Sequence, residues 1–239
     1  MNFALSEQQS AFVDVAGGFA RDQLTPNAAT WDEHKIFPVE TLRAAGELGF
    51  CGMYCPAEVG GTGLTRMDAA LILEELAQGC TSTAAYLSIH NMAAWMVATW
   101  GTEQVRHDWA GALAAGTKLA SYCLTEANAG SDAASIVTTA RRDGEDYVLN
   151  GAKAFISGAG DTDVLVVMAR TGADGPGGIS AFVVPSDTVG LGFGKNESKM
   201  GWNSQPTRAI SFENVRVPLH CLLGAEGDGF SIAMQGLEG

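Results

Sequence analysis

The hydrophobic pattern of the chain changes near residue 117. Before that point, apolar residues recur at helical spacing, and a capping box of Ser6 and Gln9 opens the first helix, which Pro26 stops. Four further helices are predicted to begin at or near Pro38, Thr65, Thr83 and Thr102. The first half of the chain is therefore predicted to be helical.

After residue 118, short apolar strands separated by turn residues replace the helical spacing. The predicted strands are residues 119–124, 136–142, 147–149, 154–157, 164–170, 179–184, 191–195 and 209–217. Asp143-Gly144 and Asn150-Gly151 are the strongest hairpin signals. Because no amphipathic helix separates the strands, an antiparallel sheet or a flattened barrel is predicted. Helical spacing resumes at Gly229.

Composition narrows the classes of function. Apolar residues make up 46% and charged residues 17% of the 239-residue chain, which is typical of folded proteins, and the length suits two compact units. The net charge of −13, from 27 acidic and 14 basic residues, argues against a nucleic-acid partner, because phosphate backbones are bound by clustered Lys and Arg. No apolar run approaches the roughly 20 residues that a membrane span needs.

The five cysteines predict neither a metal site nor a disulfide framework, because none forms a CxxC pair and their number is odd. A reducing compartment is therefore expected. The chain passes from Met1 directly into the first helix, without a basic leader or a transit-type segment. These features together predict a cytoplasmic protein.

Two strand ends carry the candidate chemistry. Residues 122–132 read Tyr-Cys-Leu-Thr-Glu-Ala-Asn-Ala-Gly-Ser-Asp, and residues 150–158 read Asn-Gly-Ala-Lys-Ala-Phe-Ile-Ser-Gly. Such ends could hold a flat ring between apolar walls, with backbone and hydroxyl donors at the edge of the ring. Ala129 and Gly130 would let the backbone approach a diphosphate. Composition alone favours a simpler interpretation of the first segment, a strand followed by a turn.

Two other features have simpler structural interpretations. Gly158-Ala159-Gly160 is similar to a dinucleotide loop, but Asp163 stands where a further glycine is needed and no helix follows, so a turn is predicted. His90 lies beside Ile89 and Met92 in a predicted helix, which favours a packed or interface histidine over a catalytic one.

Four motifs, in order along the chain, resemble the acyl-CoA dehydrogenase family. They are residues 122–132, residues 150–160, the segment Lys-Met-Gly-Trp-Asn-Ser-Gln-Pro-Thr-Arg at 199–208 and the segment Phe-Glu-Asn-Val-Arg-Val-Pro at 212–218. Gly229-Phe230 then opens a helix, as in the family. Residues 88–92 and 201–208 look most like the isobutyryl-CoA dehydrogenases of valine breakdown.

The resemblance implies a multidomain α+β fold. An all-α N-terminal domain would occupy residues 1–117, and a small antiparallel β-domain that binds flavin and acyl-CoA would occupy residues 118–228. Residues 229–239 would begin a C-terminal helical bundle, which is expected to be truncated because the family continues well beyond that point.

The resemblance also implies binding sites for FAD and for an acyl-CoA, and no metal site. The implied flavin contacts are Tyr122, Cys123, Leu124, Thr125, Gly130 and Ser131 in the first segment and Phe155, Ile156 and Ser157 in the second. Ser131 is also expected to contact the pantetheine arm of the substrate, and Glu238 and Gly239 to begin the segment that meets its CoA part. Ala127 departs from the family, which usually has Pro there, but the change removes no donor.

The reaction implied by the resemblance is α,β-dehydrogenation of a short branched acyl-CoA to the 2-enoyl-CoA, in valine or fatty-acid catabolism. A glutamate removes the α-proton while a hydride leaves the β-carbon for flavin N5. In the family this glutamate comes from the C-terminal bundle, so no catalytic residue is predicted in this chain, and the isolated chain is expected to be inactive. Glu126 is predicted to form a structural hydrogen bond or ion pair instead.

Two alternatives stay open on the sequence. The substrate could be a straight short-chain acyl-CoA, or the chain could be a non-catalytic fragment that binds flavin or acyl-CoA. The resemblance further implies a homotetramer at full length, with an electron-transferring flavoprotein as the electron acceptor.

Overall fold

The computed structural model describes residues 4–237 as a helical half followed by a sheet half. The helices are α1 (Glu7–Phe19), α2 (Ala28–His34), α3 (Val39–Glu47), α4 (Arg66–Gly79), α5 (Thr81–Trp100), α6 (Glu103–Val105), α7 (Gly111–Ala114) and α8 (Gly229–Leu237). The strands are β1 (Ala120–Cys123), β2 (Thr139–Asp143), β3 (Asp146–Ser157), β4 (Val164–Arg170), β5 (Ile179–Pro185), β6 (Leu191–Phe193), β7 (Thr207–Pro218) and β8 (Leu222–Leu223).

The capping signals of the helical half are confirmed. Ser6 and Gln9 form the predicted capping box of α1, and Thr65 and Asp68 form a second box at α4. Each box satisfies backbone N–H groups that have no partner inside the first turn. The segment predicted as one helix after Thr102 instead contains a π-helical turn, Arg106–Ala110, between α6 and α7.

Helix α2 was not predicted. It has seven residues and none of them is buried, so it lacks the apolar stripe that reveals a helix in a sequence. Its place in the fold is fixed partly by a distant contact, because the Asp32 carboxylate accepts hydrogen bonds from the backbone and side-chain nitrogens of Asn203 at 2.7 and 3.2 Å.

The eight strands form one sheet in the order β6-β7-β3-β2-β4-β5-β8, with β1 paired to β4. The prediction of a purely antiparallel sheet is wrong at two pairings: β1 runs parallel to β4 over four residue pairs, and β2 meets β4 in a single parallel pair. The connection from β1 to β4 passes through β2 and β3, which brings the chain back in the same direction. Because the path ends at β6 and β8, the described sheet is open and not a barrel.

The hairpin signals had different outcomes. Asp143-Gly144 lies in the turn between β2 and β3, where Gly144 has φ +63°. Asn150-Gly151 does not form a turn, and the two strands predicted around it are one strand, β3. The side chain of Asn150 bonds across the sheet to Asn214, and a Cβ at Gly151 would lie 2.6 Å from Thr138 Oγ1. The Asn-Gly pair therefore lies at a bulge of β3, where glycine lets the residue just before β2 approach closely.

Helix α5 joins the two halves. It is apolar around most of its circumference and packs on both the helical core and the sheet. Two of its side chains hold Ala120, the first residue of β1: Tyr86 donates to the Ala120 carbonyl at 3.1 Å, and His90 Nδ1 accepts from the Ala120 N–H at 3.2 Å. The start of β1 is therefore positioned by the helical half.

His90 is a buried structural histidine, as predicted. Its Nε2 lies 3.0 Å from the Leu113 carbonyl, which can only accept, while its Nδ1 faces the Ala120 N–H, which can only donate. These partners select the neutral ring with the proton on Nε2. Burial lowers the pKa of His90 to about 4, and the bond to Leu113 opposes that shift without overcoming it.

Within residues 4–237, no helix is both long enough and apolar enough to cross a bilayer.

We expect His90 to make the folded state sensitive to mild acid. Because the folded pKa lies below that of the unfolded chain, the unfolded state takes up the proton first as the pH falls from about 6.5 to about 4. The stability lost between pH 7 and pH 5 should be about 2 kcal/mol from this residue. Denaturant titrations at both pH values should show that His90→Gln abolishes this part of the pH dependence. His107→Gln, at an exposed position, is the control. If His90→Gln lost as much stability between pH 7 and pH 5 as the wild type, the assignment would be contradicted.

Candidate functional site

The two strand ends singled out in the sequence lie side by side. The Thr125 carbonyl, just after β1, accepts a hydrogen bond from the Ala154 N–H of β3 at 2.9 Å. Ser121 Oγ of β1 donates to the Ser157 carbonyl at the end of β3 at 2.7 Å. The structure thus brings the first and second predicted flavin segments together, although about 30 residues separate them along the chain.

A buried ion pair lies behind this junction and links the two segments. Lys153 Nζ lies 2.7 Å from Glu126 Oε1 and donates to the Leu124 carbonyl at 3.0 Å. The Glu126 carboxylate also accepts from the N–H groups of Val137 at 2.7 Å and Thr138 at 3.0 Å. The predicted structural role of Glu126 is confirmed, since both of its oxygens are occupied by donors.

The ionisation of the pair follows from its surroundings. Burial raises the pKa of Glu126, but Lys153 and the two backbone N–H donors outweigh burial and hold that pKa below its usual value. Burial lowers the pKa of Lys153, and the nearby carboxylate opposes this shift. Because the lowered pKa of Glu126 keeps its carboxylate ionised 2.7 Å from Lys153 Nζ, we assign an ammonium facing a carboxylate. Lys153 was not singled out from the sequence; the signal was a lone lysine inside an apolar strand.

Phe155 is presented to the outside in an unusual conformation. It lies in the second bulge of β3, has φ +57°, and 65% of its surface is exposed. A left-handed backbone costs a non-glycine residue roughly 1–2 kcal/mol. The neighbouring Ile156 is buried in the sheet core. The bulge therefore turns an aromatic ring away from the core that would otherwise cover it.

Three hydroxyls of the two segments have no hydrogen-bond partner within the described part of the chain. They belong to Thr125 and Ser157, which are half-buried, and to Ser131, which is exposed. Many other serine and threonine hydroxyls of the sheet half are bonded within the chain, as between Ser121 and Thr162. The free hydroxyls are therefore available to a bound molecule.

The loop that ends the first segment, which includes Glu126, Ala129 and Gly130, is compact at its base and open at its tip. Glu126 and Ala129 exchange backbone hydrogen bonds of 3.1 Å in each direction, which closes the turn although the usual proline is replaced by Ala127. A Cβ added to Gly130 would meet no atom of the chain within 4 Å. The chain's own packing therefore does not require glycine there, which fits a position where backbone must come close to something else.

Tyr122 and Cys123 contribute mainly packing. Cys123 is fully buried in the sheet core, where burial raises the pKa of its thiol to about 12, so the side chain is inert at neutral pH. Tyr122 packs on the opposite face, and its buried hydroxyl has no partner among the described residues. Leu124 is buried and offers backbone groups only.

The remaining predicted contacts concern the ends of the site. Glu238 and Gly239 lie outside the described residues, so their predicted role in binding CoA stays a prediction. Gly158-Ala159-Gly160 forms the predicted turn, in which both glycines have positive φ. Among residues 4–237, no cluster of three or more His, Cys, Asp or Glu side chains could hold a metal ion.

Taken together, the residues present fit a flat redox ring with attached phosphates. The two segments offer an exposed aromatic ring at Phe155, unbonded hydroxyls at Thr125, Ser131 and Ser157, and an open glycine, Gly130. Any one of these features occurs at ordinary protein surfaces. Their convergence at one pair of strand ends, with backbone strain at Phe155, is typical of a binding site.

Comparisons with known proteins support the same conclusion. The acyl-CoA dehydrogenase N-terminal domain matches residues 6–117, and the acyl-CoA dehydrogenase middle domain matches residues 121–215. The chain is 53% identical to the mitochondrial isobutyryl-CoA dehydrogenase of Bos taurus, covering 100% of this chain and 57% of that protein.

Solved structures agree with the family match. Butyryl-CoA dehydrogenase from Megasphaera elsdenii superposes with a TM-score of 0.93 at 35% identity, covering 100% of this chain and 64% of that one. The FAD complex of PigA superposes with a TM-score of 0.95 at 31% identity, covering 99% and 63%. The chain thus spans less than two thirds of the length of these relatives. With both domains matched in order, the chain belongs to the acyl-CoA dehydrogenase family.

Proposed function

We propose that this chain supplies the FAD-binding half of an acyl-CoA dehydrogenase active site. The observation that carries the proposal is the convergence of Phe155, Thr125 and Ser157 at the joined ends of β1 and β3. FAD would supply the hydride acceptor for oxidation of a CH–CH bond. The proposal includes two domains, a helical domain at residues 1–117 and a flavin-binding β-domain at residues 118–228.

Each residue of the junction has a distinct role in this proposal. Phe155 forms the wall against one face of the ring, and Thr125 and Ser157 donate hydrogen bonds to its polar edge. Ile156 contributes backbone groups only, because its side chain is buried in the sheet core. Residues 122–124 provide the strand that carries Thr125. Gly130 and Ser131 lie where the backbone would meet the diphosphate and the pantetheine arm of the substrate.

We infer that the proton-abstracting base comes from outside the described residues. Glu126 directly follows Thr125, but its two oxygens are held by Lys153 and by the N–H groups of Val137 and Thr138. A carboxylate bound by an ammonium and two N–H groups is a poor base, because these donors hold its pKa low. We therefore infer that these residues bind and orient the reactants and do not remove the α-proton.

The proposed substrate is a short branched acyl-CoA similar to isobutyryl-CoA. The support is the 53% identity with an isobutyryl-CoA dehydrogenase over the whole chain. A straight short-chain acyl-CoA is the second candidate, supported by the superposition on butyryl-CoA dehydrogenase. A non-catalytic role in binding flavin or acyl-CoA is the third candidate, since Glu126, the buried carboxylate beside Thr125, is already bound by three donors.

The proposed setting follows the family. We infer assembly into a homotetramer and electron transfer to an electron-transferring flavoprotein. All five cysteines are free and buried, which suits a reducing compartment such as the cytoplasm.

FAD binding and chemistry can be tested on the 239-residue chain itself. Titration with FAD should give a saturable change in the visible flavin band. Anaerobic addition of isobutyryl-CoA or butyryl-CoA should then leave that band unbleached, because Glu126, the buried carboxylate beside Thr125, is already held by three donors. Absence of FAD binding would contradict the proposed cofactor, while bleaching by either thioester would contradict the inference about the base.

Phe155→Gly should separate binding from folding. Glycine adopts φ +57° without a Cβ clash, so the free energy of unfolding should change by less than about 1 kcal/mol. FAD affinity should fall roughly tenfold, because an aromatic contact contributes about 0.5–1.5 kcal/mol beyond buried area. Denaturant titration and FAD titration measure the two effects.

The matched control for this experiment is Trp202→Gly. Trp202 is also an exposed aromatic residue with φ +56°, but it lies in the loop before β7 and not at the joined ends of β1 and β3. An equal loss of FAD affinity in both variants, or no loss in Phe155→Gly, would show that Phe155 does not form the wall of the flavin site.

A further inference from the structure

The buried ammonium of Lys153 is not explained by stability alone. Its side chain is fully buried and its partner Glu126 is 6% exposed. Removing two charges from water is expensive, and replacing a buried ion pair with apolar residues of similar volume is often neutral or stabilising. The buried charge of Lys153 therefore suggests a role in the adjoining site.

Lys153 acts on the site through one peptide group. Its Nζ donates to the Leu124 carbonyl at 3.0 Å. The described chain contains no cis peptide bond, so the N–H of Thr125 points opposite to the Leu124 carbonyl and hence away from the buried ammonium. Within residues 4–237 this N–H donates to no other group, although the Thr125 carbonyl is fixed by Ala154 at 2.9 Å.

The consequence is a preorganised and polarised donor. A cation bonded to a carbonyl draws electron density toward the oxygen and leaves the N–H of the same peptide more positive, and such chains of bonds strengthen one another. The strengthening is largest when the acceptor carries negative charge. A donor of this kind favours the more anionic of two states of a bound molecule.

We propose that Lys153 is a positioning residue for the flavin: it fixes and polarises the Leu124–Thr125 peptide so that the Thr125 N–H binds reduced FAD more tightly than oxidised FAD. The inference rests on the proposed function, because it requires FAD at the joined ends of β1 and β3. Lys153 itself lies behind the strand and touches neither cofactor nor substrate. Its effect would appear as a higher reduction potential of the bound flavin.

Glu126 should have the opposite electrostatic effect. Its carboxylate lies 2.7 Å from Lys153 Nζ and offsets part of the positive charge, while the N–H groups of Val137 and Thr138 fix its position. Removing the charge of Glu126 without changing its shape would leave the ammonium less compensated. Removing one or the other charge of this pair is therefore expected to shift the reduction potential of the flavin in opposite directions. A merely structural pair would not have this effect.

The test compares the affinity of the chain for oxidised and reduced FAD. Lys153→Met should lower the preference for reduced FAD about tenfold, which corresponds to a potential about 30 mV more negative for a two-electron couple. Glu126→Gln, measured at slightly acid pH so that Lys153 stays protonated, should raise the preference. Lys153→Arg keeps the charge and should restore most of the wild-type value. The potential of the bound flavin is read by equilibration with a reference dye.

The control is Arg216→Met, which removes an exposed cation that pairs with Asp143 at the end of β2 and with Asp146 at the start of β3. Its preference for reduced FAD should equal that of the wild type. Thermal unfolding of each variant without FAD reports stability separately. If Lys153→Met does not fold, Glu126→Gln and Lys153→Arg still decide the question, because their expected effects differ.

The outcomes distinguish the two proposals. Opposite shifts in Lys153→Met and Glu126→Gln, with Lys153→Arg close to wild type, would support the inference. Wild-type chain that binds FAD, together with a potential unchanged in Lys153→Met or lowered in Glu126→Gln, would overturn the inference and leave the proposed function standing. Wild-type chain that binds neither redox state of FAD would overturn both.

Discussion

The ion pair between Lys153 and Glu126 is the interaction on which the site depends. Glu126 accepts hydrogen bonds from the backbone N–H groups of Val137 and Thr138, which lead into β2. Lys153 of β3 donates to the Leu124 carbonyl just after the end of β1. Three segments that are distant in the sequence are thereby fixed around one buried charge pair. A buried ion left without its partner is costly. Moving any one of these segments away from the others therefore costs free energy.

Helix α5 supplies the second constraint, from the other side of β1. Tyr86 and His90 satisfy both backbone groups of Ala120, so the strand starts at a place set by the helical half. Parallel pairing of β1 with β4 then extends it to Cys123, and the ion pair begins where the strand ends. The helical half thus contributes to the site without placing a residue in it, because it determines where β1 lies.

The features offered to a ligand are those that the chain's own packing leaves unused. Phe155 has a strained backbone and an exposed ring, Gly130 would tolerate a side chain, and the hydroxyls of Thr125, Ser131 and Ser157 are unbonded within the described residues. A folded chain usually satisfies such groups or avoids such strain. These groups are concentrated at one junction, and the ion pair lies behind them. The groups at the junction are available to bind a ligand, while the ion pair holds them in place.

The sequence by itself determined what depends on neighbouring residues. Capping boxes at Ser6 and Thr65, the change from helical to strand spacing near residue 117 and the linear motifs of the family all rest on short-range patterns, and they predicted the helical half, most strands and the family. Asn150-Gly151 shows the limit of that approach, since the same dipeptide serves a hairpin or a bulge according to which strand lies beside it. Only the tertiary structure decided that β1 runs parallel to β4, that the lysine at 153 is buried against Glu126, and that Phe155 turns outward. These features depend on contacts between residues far apart in the chain, such as the 27 positions that separate Glu126 from Lys153, and no local pattern encodes such a pairing.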